Sequence, residues 1–270
     1  MRALLTPALL VASVVWSSAA GLNQATVTKI VNNVEVIPPG AQAQAATLGE
    51  VISGSTGVRT GSGSRAQLTF ADNTLTRLGS NTLFSFERGT RQLDLEQGAI
   101  LLQVPKDAGG ATIRSAPVTA AITGTTVMME HSPGNPGIVK IIVLEGTVRV
   151  SLTGHLGESV LVGPGQMISV AADARRLPDP MTVDIKRILK TSKLIKDGDL
   201  ASYGLILETV TDQEAQLRDG TLGEADGVLP TPVHDNPATQ AAGVMDNLIN
   251  RHDTVQQPPP PPPPVSYTHL

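Results

Sequence analysis

From Ala25 to about Ala172 the chain alternates apolar and polar residues in short runs. In Arg65-Ala66-Gln67-Leu68-Thr69-Phe70 the apolar positions are 66, 68 and 70, the period of a strand with one buried face. Asp72-Asn73 reads as a turn, after which Leu75, Arg77 and Gly79 continue the alternation. The same pattern predicts strands over Ala99–Val104, Thr112–Arg114, Val118–Thr123, Val127–Glu130, Ile138–Leu144, Thr147–Leu152, Ser159–Val162 and Met167–Val170. Turn signals separate these runs by roughly eight to twelve residues, the spacing of all-β domains. Leu68, Phe70, Leu75, Leu78 and Phe84 are core candidates, and Gly57, Gly61, Gly63 and Gly79 are expected to supply corners, by positive φ or by close backbone approach.

A weak internal echo runs through this region. QGAILLQV at Gln97 and EGTVRVSL at Glu145 share an acid or amide, a glycine and alternating apolar residues, and PGQMISV at Pro164 is a looser copy. Such an echo suits a β-roll or short β-solenoid whose coils stack, and equally a stack of hairpins.

The period changes at Asp179-Pro180. Asp179 suits an N-cap and Pro180 a first helical position, so a helix is expected over Met181–Lys196 with Met181, Ile185, Ile188, Leu189 and Ile195 on one face. A second is expected from Asp199 to Leu217, with Tyr203, Ile206, Leu207, Val210 and Leu217 as its stripe. The sequence thus divides into an apolar leader (1–20), a β domain (21–172), a helical extension (173–219), a linker (220–257) and a tail (258–270). In the linker, Ala241, Val244, Met245, Leu248 and Ile249 suit a short helix; the tail opens with Pro258–Pro264, an extended polyproline segment read as a spacer. Val265–Leu270 resemble translated adaptor sequence and are given no role.

The leader changes the setting. Arg2 precedes an apolar run from Leu4 to Trp16, followed by Ser18-Ala19-Ala20, the pattern of a signal peptide cleaved after Ala20. The run falls short of the ~20 apolar residues that span a bilayer, and no later segment is apolar enough. Cleavage would leave 19 basic residues against 24 acidic ones, which argues against a nucleic-acid partner. Without cysteine there are no disulfides and no thiolate metal sites. The only Trp is in the leader, leaving two Tyr and three Phe, too few for stacking platforms.

Chemistry is sparse. His131, His155, His234, His252 and His269 show no metal-ligand spacing, no G-x-S-x-G elbow is present, and GSGSR at Gly61 leads into a strand rather than a helix. Glu145 has no second carboxylate that sequence can name as a catalytic partner. No enzyme, cofactor or metal is expected. Gly61, Gly79, Gly124, Thr125, Glu145 and Gly146 are read as structural turn residues.

The stretch VRTGSGSRAQLTFADNTLTRLGSNT, with LDLEQGAILLQV, IRSAPVTAAITGTTVMME, VLEGTVRV and LVGPGQMISV in order after it, resembles the FecR domain, named for the iron-dicitrate regulator. The likeness covers Val27 to about Ala172. It implies a β-rich roll in the periplasm of Gram-negative bacteria. Transport regulators of that family carry a cytoplasmic anti-sigma segment and a membrane helix; only Met1–Ala3 precede the apolar run here, so a stand-alone exported member is expected. Arg59, Arg65 and Arg77 are candidates for an exposed face that meets carboxylates of a partner. The expected role is a non-catalytic scaffold binding another envelope protein or a cell-wall glycan, its helices closing the open end of the roll. The alternatives are a sensor of an outer-membrane transporter and a glycan-processing enzyme.

Overall fold

The computed structural model describes residues 21–222 apart from 135, 156 and 197–199. The leader, the linker helix, the proline run, the tail and His234, His252 and His269 lie outside the described residues.

The chain runs through β1 (Gln24–Val31), β2 (Val34–Ile37), β3 (Gln44–Ala45), β4 (Val51–Ser53), β5 (Gly57–Thr60) and β6 (Arg65–Phe70). There follow β7 (Leu75–Leu78), β8 (Leu83–Phe86), β9 (Gln92–Val104), β10 (Ala111–Ser115), β11 (Val118–Ile122) and β12 (Thr125–Ser132). The last strands are β13 (Ile138–Glu145), β14 (Val148–Leu152), β15 (Ser159–Val162), β16 (Gln166–Ala171) and β17 (Met181–Thr182). Helices α1 (Ile185–Thr191), α2 (Lys193–Lys196) and α3 (Tyr203–Asp219) complete the described chain.

The 17 strands form one open, mixed sheet. It has two limbs. One runs β4-β1-β6-β7-β9-β12-β13-β16-β17, the other β3-β2-β5-β8-β9-β10-β11-β14-β15. The strand β9 belongs to both: its first half pairs with β8 and β10, its second with β7 and β12. It turns at Gly98 (φ +89°), where a Cβ would come within 2.5 Å of Thr82 Cα. Only glycine tolerates both the angle and the approach.

Other passages between limbs also use a left-handed residue: Asn32 (58°), Ser55 (71°), Gly63 (64°), Gly124 (58°), Gly146 (77°) and Gly165 (73°). The sequence echo now has a physical content. Its three glycines, at positions 98, 146 and 165, each stand where the chain changes limb. Of the four glycines expected at corners, Gly63 alone has positive φ. Gly79 serves instead as a close contact, with a Cβ position 3.2 Å from Ala99 O.

The inner faces of the limbs share an almost wholly apolar core that includes Val27, Val58, Leu68, Phe84, Leu95 and Ile113. Phe70 and Phe86 meet edge to face, centroids 5.0 Å apart. The outer face of the first limb carries a second apolar cluster, in which Leu101, Met128, Ile142 and Met167 pack against Ile185, Ile188, Leu194 and Ile206. The helices therefore cover a sheet face and do not close an end, because that strip is too apolar to leave in water.

Two helix expectations are corrected. Met181 and Thr182 are extended and pair with Met167 and Gln166, so Asp179-Pro180 starts no helix. Asp184 is the N-cap, its carboxylate accepting from the Arg187 N–H at 2.8 Å, and Ser192 ends α1 in an extended conformation. In α3 the buried face holds Ile206, Thr209, Val210 and Gln213, while Tyr203 and Leu207 are 45% and 44% exposed. Gln213 sets this rotation: its amide donates to Val183 O (2.9 Å) and Gly165 O (3.3 Å), anchoring α3 to the turn before β16.

Candidate functional site

The three arginines do not share a face. Arg59, on the second limb, is half-exposed and donates through Nε to Glu35 (2.8 Å), its directly opposed neighbour on β2. Arg65 is half-buried at the start of β6 on the first limb. Arg77 is only 2% exposed. Its Nε donates to Gln67 Oε1 (2.9 Å), and Nη1 donates to the carbonyls of Leu194 (2.9 Å) and Ile195 (3.1 Å) in α2. Helix carbonyls near a C-terminus lack intrahelical donors, and a guanidinium satisfies them well. The expectation of an exposed Arg77 is thus corrected: this residue fastens the helical layer to the sheet.

The turn residues converge on a more informative place. Gly124 and Gly146 stand side by side at the ends of β12 and β13; a Cβ on Gly146 would lie 2.9 Å from Gly124 O and 2.7 Å from Thr125 Oγ1. The hydroxyl of Thr125 donates within this corner, with Thr123 O at 3.1 Å and Thr147 O at 3.0 Å. Gly61 lies at the β5–β6 passage, its N–H donating to Asn33 O at 3.0 Å.

Beside the corner, Leu75, Gln103, Thr126 and Glu145 stand opposite one another in a row across β7, β9, β12 and β13. Thr126 donates to Glu145 Oε1 (2.8 Å), and its oxygen lies 2.6 Å from Ser202 Oγ at the start of α3. A hydroxyl has one proton, so with Glu145 ionised the order is Ser202 to Thr126 to Glu145.

Gln103 and Glu145 of this row line a cleft of about 470 Å³ together with Asp72, Lys106, Asp107 and Ser202. Burial pushes the Glu145 carboxyl upward, opposed by the Thr126 hydroxyl and the charge of Lys106. Burial pulls Asp72 the same way, yet the Thr74 N–H and the Arg91 guanidinium outweigh it and hold Asp72 below its ordinary value. Arg91 Nη2 lies 2.6 Å from Asp72 Oδ2. Gln103, 6% exposed, has no partner for Oε1.

A second buried polar pair lies farther along the same outer face. Glu130, opposite Lys140 in the register, is 2% exposed, and its carboxyl is pushed up to about 7 by burial against the pull of Lys140 and the Ser132 hydroxyl. Lys140 is pushed down by burial. Sequence reasoning missed both Glu130 and Gln103; the only available signal was a polar residue at an apolar beat of β12 and of β9. Among the described residues no three His, Cys, Asp or Glu side chains are placed to hold a metal ion, and no helix is long and apolar enough to cross a membrane.

Two crystal structures of a candidate anti-sigma factor from Parabacteroides distasonis ATCC 8503 are similar to the chain. One, at 1.65 Å, is 17% identical with a TM-score of 0.41 over 47% of this chain and 59% of its own length. The other, at 2.50 Å, is 16% identical with a TM-score of 0.42 over 49% and 63%. The chain thus spans about three fifths of the length of these structures. No curated protein matches. The family described as FecR protein matches over residues 56–149, from β5 into β14, a narrower span than the motifs suggested. The motif order through those strands runs in the same sense, so residues 56–149 of this chain are similar to the FecR domain.

Proposed function

We propose that the chain is an exported, non-catalytic recognition module of the cell envelope, with the FecR domain as its scaffold and another envelope protein as its partner. The observation that carries this reading is that the motif side chains are spent on architecture. Arg77 holds α2, Arg59 holds Glu35, and Glu145 ends a chain of hydroxyls. Glu145 shares its cleft with Asp72 and Asp107, but Thr126 holds the Glu145 carboxylate and Arg91 holds Asp72, whereas general acid–base chemistry needs a group placed to move a proton. A regulatory role accords with the FecR match, and a transporter-sensing function remains the second reading on the same ground. The β-roll architecture, the leader cleavage and the division at residue 172 belong to this proposal.

The test is fractionation of the epitope-tagged full chain, with a photo-crosslinking residue at position 59 or 65. The expected result is a periplasmic product beginning at Gly21 and cross-linked to one envelope protein. An unprocessed cytoplasmic product, or turnover of a glycan substrate that Glu145→Gln abolishes, would overturn it.

A further inference from the structure

The Glu145 corner opens on a cleft lined by carboxylates and an unpartnered amide oxygen. We propose that this cleft binds a primary alkylammonium group, the end of a lysine side chain or of a free alkyl amine. This goes beyond the recognition role above and does not rest on it.

The floor offers acceptors. Glu145 is 6% exposed and its carboxyl is fixed on one oxygen by Thr126, itself tied to Ser202. Gln103 is equally buried, lines the same cleft and leaves Oε1 without a donor. A buried acceptor without a partner costs free energy that an incoming N–H recovers. An ammonium brings three donors on one small head, matching an amide oxygen and a carboxylate that stand in one cross-strand row.

The walls suit the stem of such a ligand. Val104, Pro105 and Leu205 give the cleft an apolar flank on which methylenes can lie while the charged head reaches the floor. Charge selects the sign. Three carboxylates, Asp72, Asp107 and Glu145, line the cleft against one cation, Lys106, whose charge opposes the upward pull of burial on Glu145. The N-terminus of α3 would favour an anion, but the Ser202 hydroxyl is already tied to the chain that ends on Glu145, so the anion is built in. A metal cation fits poorly, since no three carboxylate or imidazole side chains converge among the described residues.

The experiment is titration of the full chain, followed by calorimetry and amide NMR, with 1,5-diaminopentane, Nα-acetyl-lysine N-methylamide and, as the reversed charge, hexanoate. Both amines should shift the amide signals of Gln103, Thr126 and Ser202 while hexanoate leaves them in place. Glu145→Gln should weaken amine binding about tenfold or more. Asp107→Asn, at an exposed position, should weaken it about threefold and serves if the Glu145 variant fails to fold. Tighter binding of the lysine amide marks a protein side chain as the natural source; tighter binding of the diamine marks a free amine. Absence of shifts with both amines up to about 20 mM, equal binding of hexanoate, or undiminished binding by both variants would overturn the proposal.

Discussion

The two faces of the first limb contrast sharply. Its inner face meets the second limb through an almost wholly apolar core, while its outer face meets the helices through an apolar strip flanked by buried polar groups. Arg77, Gln103, Thr126, Glu130 and Glu145 all lie on that outer side, each at most 6% exposed. The lesson is one of specificity. A sheet-on-sheet core positions itself by shape, but short helices on a sheet need directional bonds to settle their place, and this chain supplies them from the sheet.

The contrast can be tested by substitution, beginning with the core that the inner face shares with the second limb. Phe86→Ala removes a ring that is 1% exposed and packs against Phe70; it should cost about 3–5 kcal/mol of unfolding free energy in a urea titration. A cost below 1 kcal/mol would mean that the inner core is not the main source of stability. Next comes Arg77→Leu, which leaves the Leu194 and Ile195 carbonyls and Gln67 without their donor. Its expected cost is about 2–3 kcal/mol, and hydrogen exchange should quicken in α1 and α2 while the inner strands stay protected. Uniform loss of protection would erase the distinction between the faces.

Glu130 gives the contrast a pH signature. Its carboxyl holds a proton up to about 7 in the fold, against 4.5 for the ordinary group. The folded form therefore binds the proton more tightly than the unfolded chain does. Stability from this group is full below pH 4.5 and is lost as pH rises towards 7. Glu130→Gln should remove that slope and raise stability at pH 8 by on the order of 2 kcal/mol; an unchanged slope would place the titration elsewhere. The smallest effect is expected from Arg59→Ala, since the Glu35 pair is exposed: about 0.5 kcal/mol or less.

The inner face was legible because alternation reports one thing, which side of a strand meets oil. Arg65–Phe70 and Ser159–Val162 coincide with β6 and β15, and Leu68, Phe70, Leu78 and Phe84 are all buried. The outer face was not legible, since an arginine at a polar beat looks the same whether it meets water or two helix carbonyls. Met181 misled for a related reason: an apolar residue after Asp-Pro fits a helix stripe and an edge strand equally, and pairing with Met167 decided the matter. The face of α3 depended on Gln213, a residue that hydropathy assigns to solvent.

By itself the sequence determined the β-rich character, most strands from Arg65 to Val170, the left-handed corner at Gly63 and the FecR-like motifs. These rest on local properties, period and backbone freedom, that neighbours in the chain express without help from distant residues. Tertiary structure alone decided that the helices cover a face and that Gln103, Thr126, Glu145 and Ser202 meet. The reason is that desolvation and hydrogen bonding of those groups depend on partners up to 76 positions away along the chain, and no local pattern encodes which partner arrives.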